Sequence, residues 1–470
     1  MTTGFQVVLC IGLILGARAA VAQETEVETQ EAAEQAEPLT APPRVRQVEV
    51  MTGRGGRGIA LDPEGNARLH FRLDAGAGFD TNPYTVPFGV TTNQFTGDLT
   101  TRIRPAVDFS YPGSKVTANA GLTLDYGFLP NIFGDTSGAN WLLYNLSGQG
   151  TLELNRGGMF TAAVTDSVSS ANDPGLINLG AIFTRINNRF GLATGVKAGT
   201  FGARLLYDFG FEKWFDPNFG LFGDVAGQPI REGAFDQMSH GLTLRLDYRF
   251  LPKTGLFLEA RGAWNTYPFD VNNLNPDSFP VAASLGLMGQ LSTKLSGLVS
   301  VGYSNPLVLD QLPDGSMGIT TQGIIGLVTQ AEAQWKINGI SRLTAGVLRN
   351  FQPAPLYQYV TSNRVHIRYE QAVGAKLVLT AGANFTFLQF GEEQQVIIDG
   401  VAQDVTDTEG TDRYDGVLGS RVNLSYFLLD WVSVAVANDF EWRLTNANAV
   451  TGGNLSYLSN ETLLLASVHY

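Results

Sequence analysis

From Arg68 onward, apolar and polar side chains alternate along the chain with a period of two. In Asp98 to Tyr111, Leu99, Ile103, Val107, Phe109 and Tyr111 share one face, and Arg102, Arg104, Asp108 and Ser110 the other. The next segment sets Val116, Ala118, Ala120, Leu122, Leu124, Tyr126 and Phe128 against Thr117, Asn119, Thr123 and Asp125. Gly241 to Phe250 alternates Leu242, Leu244, Leu246, Tyr248 and Phe250 with Thr243, Arg245, Asp247 and Arg249. Val432 to Leu444 alternates Val432, Val434, Val436, Phe440, Trp442 and Leu444 with Ser433, Asp439, Glu441 and Arg443. Successive side chains of a strand point to opposite faces, so each pattern predicts a strand with one apolar side. The segments run to roughly ten to fourteen residues, whereas soluble strands average about five or six. A tilted strand needs about 9–11 residues to cross a bilayer.

Such segments predict about eighteen strands, an even number within the range of bacterial barrels. They begin near Arg68, Asp98, Lys115, Ala139, Met159, Asn188, Thr200, Gln237, Gly255, Val281, Ser296, Thr321, Arg342, Tyr357, Lys376, Arg413, Val432 and Asn454. Their connections alternate in length. Pro112-Gly113-Ser114, Arg156-Gly157-Gly158, Pro252-Lys253-Thr254, Ser292-Thr293-Lys294 and Asn338-Gly339-Ile340-Ser341 are short turns. Between them lie long polar stretches at 80–97, 129–138, 170–187, 215–236, 266–280, 304–320 and 391–412. Short turns at one end and long loops at the other are what a transmembrane barrel produces.

Composition agrees. Charged residues are 16% of the chain and mean hydropathy is +0.01, far from the apolar excess of a helical membrane protein. No segment past the N-terminus reaches the roughly 18 uninterrupted apolar residues of a membrane helix. Lipid offers no partner to an unpaired backbone group, so spanning strands must close on themselves. The expected fold is all-β: a transmembrane antiparallel β-barrel over 66–470, preceded by a disordered periplasmic tail over 23–65 and a signal peptide over 1–22.

The leader rests on the apolar core Val7 to Leu15 and the small-residue site Ala20-Val21-Ala22. It departs from the usual pattern in carrying no Lys or Arg in Met1-Thr2-Thr3-Gly4. The one cysteine, Cys10, follows Leu9, which is too large for a lipoprotein site, and a cleaved chain has no thiol for a disulfide or thiolate metal site. The Glu/Gln/Ala-rich stretch 24–43 has too few apolar residues to fold alone, apart from weak helix at Glu31 to Ala36. Gly53-Arg54-Gly55-Gly56-Arg57-Gly58 matches a dinucleotide-binding pattern by letter only, with no strand before it and no helix after it. The last residues place Leu464, Val468 and Tyr470 on one face with Ala466 and end on an aromatic, the form an assembly signal takes in outer-membrane barrels; this implies recognition by the barrel-assembly machinery.

Candidate chemistry lies on the polar faces. Net charge is −13 and no basic run occurs, which excludes nucleic acid as a partner. Arg72 and Asp74, Arg102, Arg104, Asp108 and Asp125, Arg204 and Asp208, Arg245, Asp247 and Arg249, Glu259 and Arg261, and Asp439, Glu441 and Arg443 all fall on inner faces. Lys or Arg at the midplane on the lipid side costs about 2–4 kcal/mol, so these charges are expected to face the lumen. There they satisfy one another as a wall network, or some of them line a conduit and set its selectivity. The loop Gly391 to Asp415 carries Glu392, Glu393, Asp399, Asp404, Asp407, Glu409, Asp412 and Asp415; a solvated loop is the simpler reading, and calcium held by Asp404, Asp407, Glu409 and Asp412 the sharper one. His70, His240, His366 and His469 lie far apart, no nucleophile is marked, and neither cofactor nor catalysis is expected. Phe128, Trp214, Trp264, Trp431, Trp442 and Tyr470 lie near strand ends, where lipid-interface girdles are expected.

One stretch carries a family likeness. Gly76-Ala77-Gly78-Phe79-Asp80-Thr81-Asn82-Pro83 is followed by Thr101-Arg102-Ile103-Arg104-Pro105-Ala106-Val107 and Gly121-Leu122-Thr123-Leu124-Asp125-Tyr126-Gly127. This resembles the opening of the putative β-barrel porin family, type 2, in which a hydrophobic-Asp-x-Asn motif ends the first strand and a hydrophobic-x-Pro motif enters the second. Phe79 stands where Tyr is commoner in that family. The likeness covers roughly 66–135 and implies a bacterial outer-membrane exit for secreted polysaccharide, with a periplasmic export partner. Three classes stay open at this point: a channel for polysaccharide or small solutes, a plugged structural part of an envelope-spanning secretion or motility complex, and a barrel enzyme.

Overall fold

The computed structural model describes residues 58–61, 66–82, 97–128, 142–173, 183–215, 233, 235–270, 275–311, 317–320, 326–354, 357–374, 376–391, 396–398, 401–403, 412–448 and 454–470. The expected signal peptide, the helix at Glu31 to Ala36, and all of the tail but its end lie outside these residues.

The strands are β1 (Ile59–Ala60), β2 (Arg68–Asp80), β3 (Asp98–Pro112), β4 (Val116–Phe128), β5 (Leu142–Leu154), β6 (Phe160–Asp173), β7 (Phe183–Ala198) and β8 (Phe201–Phe215). They continue with β9 (Gln237–Leu251), β10 (Thr254–Thr266), β11 (Val281–Gln290), β12 (Leu295–Asn305), β13 (Val308–Gln311), β14 (Met317–Thr320), β15 (Leu327–Lys336) and β16 (Ser341–Ala354). The last are β17 (Tyr357–Val373), β18 (Leu377–Phe390), β19 (Val396–Ile398), β20 (Val401–Gln403), β21 (Tyr414–Leu429), β22 (Val432–Thr445) and β23 (Tyr457–His469). Eighteen of them pair antiparallel with their neighbours in chain order, and β23 returns to β2, which closes the barrel. β13–β14 and β19–β20 are separate hairpins in two of the long loops. Closure is what lipid demands, because an open edge would leave a row of backbone groups unpaired.

The closing seam runs from Arg72↔His469 to Asp80↔Glu461. Beyond it, Tyr470 and Phe71 exchange both backbone hydrogen bonds, at 2.8 and 2.9 Å. β1, inside the stretch expected to be disordered tail, pairs with β2 at Ile59↔Leu69 and Ala60↔Arg68, just past the last residue of β23. Gly76 and Gly78 of β2 let this seam close: a Cβ on Gly78 would lie 1.9 Å from the Thr462 carbonyl oxygen, and one on Gly76 2.4 Å from that of Leu464. Gly78→Ala must therefore push β2 away from β23. We expect a loss of about 1–3 kcal/mol, the usual cost of overpacking, read as a lower urea midpoint in lipid vesicles. An unchanged midpoint would mean the strands are not in contact there.

All eighteen predicted segments are barrel strands, most with starts within a residue of the expected position. β7 begins at Phe183 rather than Asn188, and β15 at Leu327 rather than Thr321. Phe183 to Asn187 looks like loop in sequence because Arg185 and Asn187 are polar, yet both are inward positions of a strand. Thr321 to Ile325, expected to open that strand, lie outside the described residues; the paired register with β12 begins at Leu327, and the Gly326 carbonyl accepts the Ser304 N–H at 2.6 Å. The alternation of short and long connections also has an exception. β16 and β17 end on the long-loop side, yet only 355–356 separate them. β17 is the longest strand at 17 residues, and the pair has a register shift between Gln352 and Ala354 around Pro353, which has no N–H to pair.

The outward face carries exposed apolar side chains in rows: Leu242, Leu244 and Leu246 on β9, Leu285 and Leu287 on β11, Val299 and Val301 on β12. A belt of this kind around a whole protein has no place in water and matches hydrocarbon. Phe201, Tyr248, Trp335, Trp431 and Tyr470 are exposed near the short turns, and Trp264, Tyr303 and Trp442 near the long loops. These are the two girdles.

Candidate functional site

The candidate site is the inner wall. Each strand contributes every second residue to it, so its chemistry is written in the polar half of the alternation. Arg102, Arg104 and Asp108 on β3 share this side with Asp125 on β4. Arg204 and Asp208 on β8, Arg245, Asp247 and Arg249 on β9, and Glu259 and Arg261 on β10 form a second group. Asp439, Glu441 and Arg443 on β22 form a third.

The geometry brings these residues together into networks. Arg102 reaches to both sides of β3, at 2.7 Å to Glu461 Oε1 on β23, beyond β2, and 3.3 Å to Asp125 Oδ2 on β4. Asp125 Oδ2 also lies 2.8 Å from Arg104 Nε. To reach Glu461, Arg102 passes over β2, whose inward positions beside it are Gly76 and Gly78. Arg245 lies 3.1 Å from Asp247 and 3.4 Å from Glu259, with its guanidinium carbon 4.2 Å from the Phe257 ring centre. Arg421 pairs with Asp439, and Arg342 with Glu370. Arg104, Asp125, Arg245 and Arg443 are almost fully covered, so they act as wall. Arg261, with 56% of its side chain exposed and Asp208 3.7 Å away, projects further in.

Glycines make the wall thin at chosen places. At Gly241, Gly286, Gly346 and Gly419 a side chain from the next strand (Asp208, Phe257, His366 and Asn384) lies where a Cβ would stand. His366 crosses Gly346 in this way to approach Glu332 at 3.7 Å.

Toward the long loops the inner wall is capped by two buried clusters. Asp415 is fully buried and takes hydrogen bonds from Arg443 Nε at 2.9 Å and from Arg413 Nε and Nη2 at 3.1 and 3.0 Å. Arg413 also donates to the Tyr357 hydroxyl at 3.2 Å and stacks 4.4 Å from the Phe390 ring centre. Burial works against the Arg413 charge, but Asp415 and Tyr357 more than offset it and hold its proton more tightly than water would. The second cluster is built on Trp214, which is 3% exposed and faces inward, opposite Arg185. This corrects the expectation of a lipid-girdle role for Trp214. The ring is covered by Phe235, centres 5.7 Å apart, and by the Arg185 guanidinium at 5.1 Å. Asp236 accepts the Trp214 backbone N–H at 2.9 Å and Lys213 Nζ at 3.3 Å. Strand parity gives the face of Trp214; the side chains that cover it come from the adjacent strand β7 and from the connection that follows β8.

Of the acidic loop, only Asp412 and Asp415 among the eight acids fall in described residues. Asp415 is corrected from loop acid to buried wall residue, its oxygens taken by arginines. Asp412 accepts from the Tyr414 hydroxyl at 3.3 Å. Among the described residues no cluster of three or more metal-type ligands occurs. His240 faces outward, 2.8 Å from the Tyr207 hydroxyl and beside Phe209, as part of the belt.

A closed eighteen-strand antiparallel barrel with an apolar belt, two aromatic girdles and a charged inner wall is an outer-membrane β-barrel of the porin-like class. The chain belongs to the family described as putative beta-barrel porin 2, whose model matches residues 68–451. No curated protein matches it. Among solved structures it is similar to the FrpB iron transporter from Neisseria meningitidis (F3-3 variant) at 9% identity and a TM-score of 0.42, over 87% of this chain and 82% of that one. It is also similar to the siderophore receptor PirA from Pseudomonas aeruginosa, at 8% identity and a TM-score of 0.37 over 86% of this chain and 80% of that one. The alcaligin receptor FauA from Bordetella pertussis matches at 11% identity and a TM-score of 0.36, over 88% and 77%.

Proposed function

We propose that this protein is a water-filled passage through the bacterial outer membrane, and that its cargo is polysaccharide leaving the cell. The observation that carries the passage is the inner wall: charged and amide side chains from almost every strand, in a barrel of a size that leaves an aqueous channel. An interior meant only to be filled would be more stable packed with apolar side chains. Family membership supports a porin-like role, and the resemblance of residues 66–135 to polysaccharide exits supports the cargo. The charged wall offers a passing polymer many exchangeable partners, which allows movement without tight holding. The chain carries no chemistry in this reading; it supplies a shaped, hydrated path.

Purified protein in planar lipid bilayers is expected to give stable conductance steps. A barrel that inserts and conducts nothing at any voltage would instead be a scaffold in an envelope-spanning complex. In cells, deletion is expected to remove surface polysaccharide while uptake of small antibiotics stays the same. Intact surface polysaccharide with reduced solute uptake would give the cargo to the diffusion reading.

A further inference from the structure

The lysines of this chain are gathered at one end. It has seven, and six of them, Lys115, Lys197, Lys253, Lys294, Lys336 and Lys376, lie in or beside short turns, each at a different hairpin. Short turns face the periplasm in outer-membrane barrels. Five of the six are exposed and Lys197 is half-buried. Lys213, the seventh, stands toward the long loops and pairs with Asp236. Among the described residues none of the six pairs with a carboxylate. Lys294 and Lys376 donate to backbone carbonyls, of Ile337 and Leu428, each at 3.2 Å. Nearby acids are already engaged, Glu153 by Arg156 and Glu370 by Arg342.

Alternation puts these lysines on the lumen side of the rim. Lys197 pairs with Gly202 and Lys336 with Arg342, both in inward rows. Lys115, Lys294 and Lys376 directly precede Val116, Leu295 and Leu377, whose partners Leu154, Trp335 and Tyr426 are exposed on the lipid side. The ladder still holds at these three, since their carbonyls accept the N–H of Asn155, Lys336 and Phe427 at 2.5, 2.7 and 2.7 Å. They therefore continue the inward row. Phospholipid headgroups lie outside the barrel and would be met by an outward row. What the chain presents is a collar of uncompensated positive charge around its own periplasmic mouth.

The matching anion is in the same chain. Glu24, Glu26, Glu28, Glu31, Glu34 and Glu37 follow one another closely, and no Lys or Arg lies between Arg18 and Arg44. Cleavage after Ala22 leaves all six in place. The chain joins the barrel at this rim, where β1 pairs with the start of β2. Extended, the stretch 38–58 spans at most about 70 Å, and an eighteen-strand barrel is about 35 Å across. Every lysine of the collar is within reach, at the high effective concentration a tether gives.

We propose that the acidic segment 24–37 docks on the lysine collar at the periplasmic mouth. Six charges of each sign, tethered at the same rim, make the contact. An anionic polymer or partner arriving there competes with the protein's own glutamates. The proposal goes beyond the passage reading and does not need the barrel to conduct.

The test is carbodiimide crosslinking of the full chain in phosphatidylcholine vesicles, which joins a carboxylate to a lysine amine in contact with it and releases the reagent as its urea. Mass spectrometry is expected to find bonds from glutamates 24–37 to lysines of the collar, within single chains of an isotope-mixed sample. They should be lost at about 1 M salt, where the Debye length is about 3 Å. A fluorescent peptide of residues 24–43 supplies a second readout, by anisotropy in non-ionic detergent. The parent should bind it at least about tenfold more weakly than a variant with all six glutamates changed to Gln, whose collar is left open. Adding Lys294→Gln and Lys336→Gln to that variant should weaken its binding again. No tail-to-collar bonds, bonds only between chains, or equal peptide binding by the parent and the glutamine variant would each overturn the proposal. Bonds present in phosphatidylcholine but lost in phosphatidylglycerol vesicles would give the collar to headgroups and overturn it too.

Discussion

Asp415→Ala is expected to destabilise the barrel by about 3–5 kcal/mol, the cost of leaving buried charges without their partner. Arg413 and Arg443 have side chains 1% and 5% exposed, and both direct donors to this one carboxylate. Without it two guanidiniums remain buried side by side. The variant should show a large fall in urea midpoint in lipid vesicles and lose its compact band in unheated electrophoresis. Asp439→Ala serves as the comparison: its pair with Arg421 is more than a third exposed on both sides, and removing it should cost no more than about 1 kcal/mol. Equal effects of the two substitutions would mean that the Asp415 cluster is open to water.

The second large effect separates the two faces of one strand. Val301 and Ser300 are adjacent at the middle of β12; Val301 is 52% exposed on the apolar side, and Ser300 pairs with Gly286 and Gln330 on the inner side. Val301→Arg should cost about 2–4 kcal/mol in lipid, because the charge meets hydrocarbon at the midplane. Ser300→Arg should cost much less, because its side chain enters the lumen beside Gln330 and not hydrocarbon. The comparison is made by urea titration of both variants in the same vesicles. Equal costs would place the two residues in the same environment.

How much of this was legible in the sequence depends on what each feature needs. Strand number, parity and the sidedness of Arg102, Asp125, Arg245 and Asp439 follow from period two, because that period is a property of the backbone. Which inward charges touch was not legible. Arg102 meets Glu461, 359 residues away, only because the barrel closes between β23 and β2 and because Gly76 and Gly78 leave the way clear. Trp214 and Asp415 were misjudged because both sit near strand ends, where nearness to a loop in sequence hides the side chains that bury them: Arg185 and Phe235 for Trp214, Arg413 and Arg443 for Asp415. The early start of β7 was hidden because its inward residues are polar and its outward ones few.

The most direct test of the account is a spin-label scan of β12. The one cysteine in the sequence is Cys10, so single cysteines at 296 to 304 can be placed in a Cys10→Ser background and labelled in lipid vesicles. Collision with oxygen reports lipid, and collision with a water-soluble nickel chelate reports water. The account predicts strict alternation: oxygen favoured at 297, 299, 301 and 303, nickel at 296, 298, 300, 302 and 304. A flat profile, or nickel access at every position, would contradict a strand with one side in the bilayer and the other in the lumen.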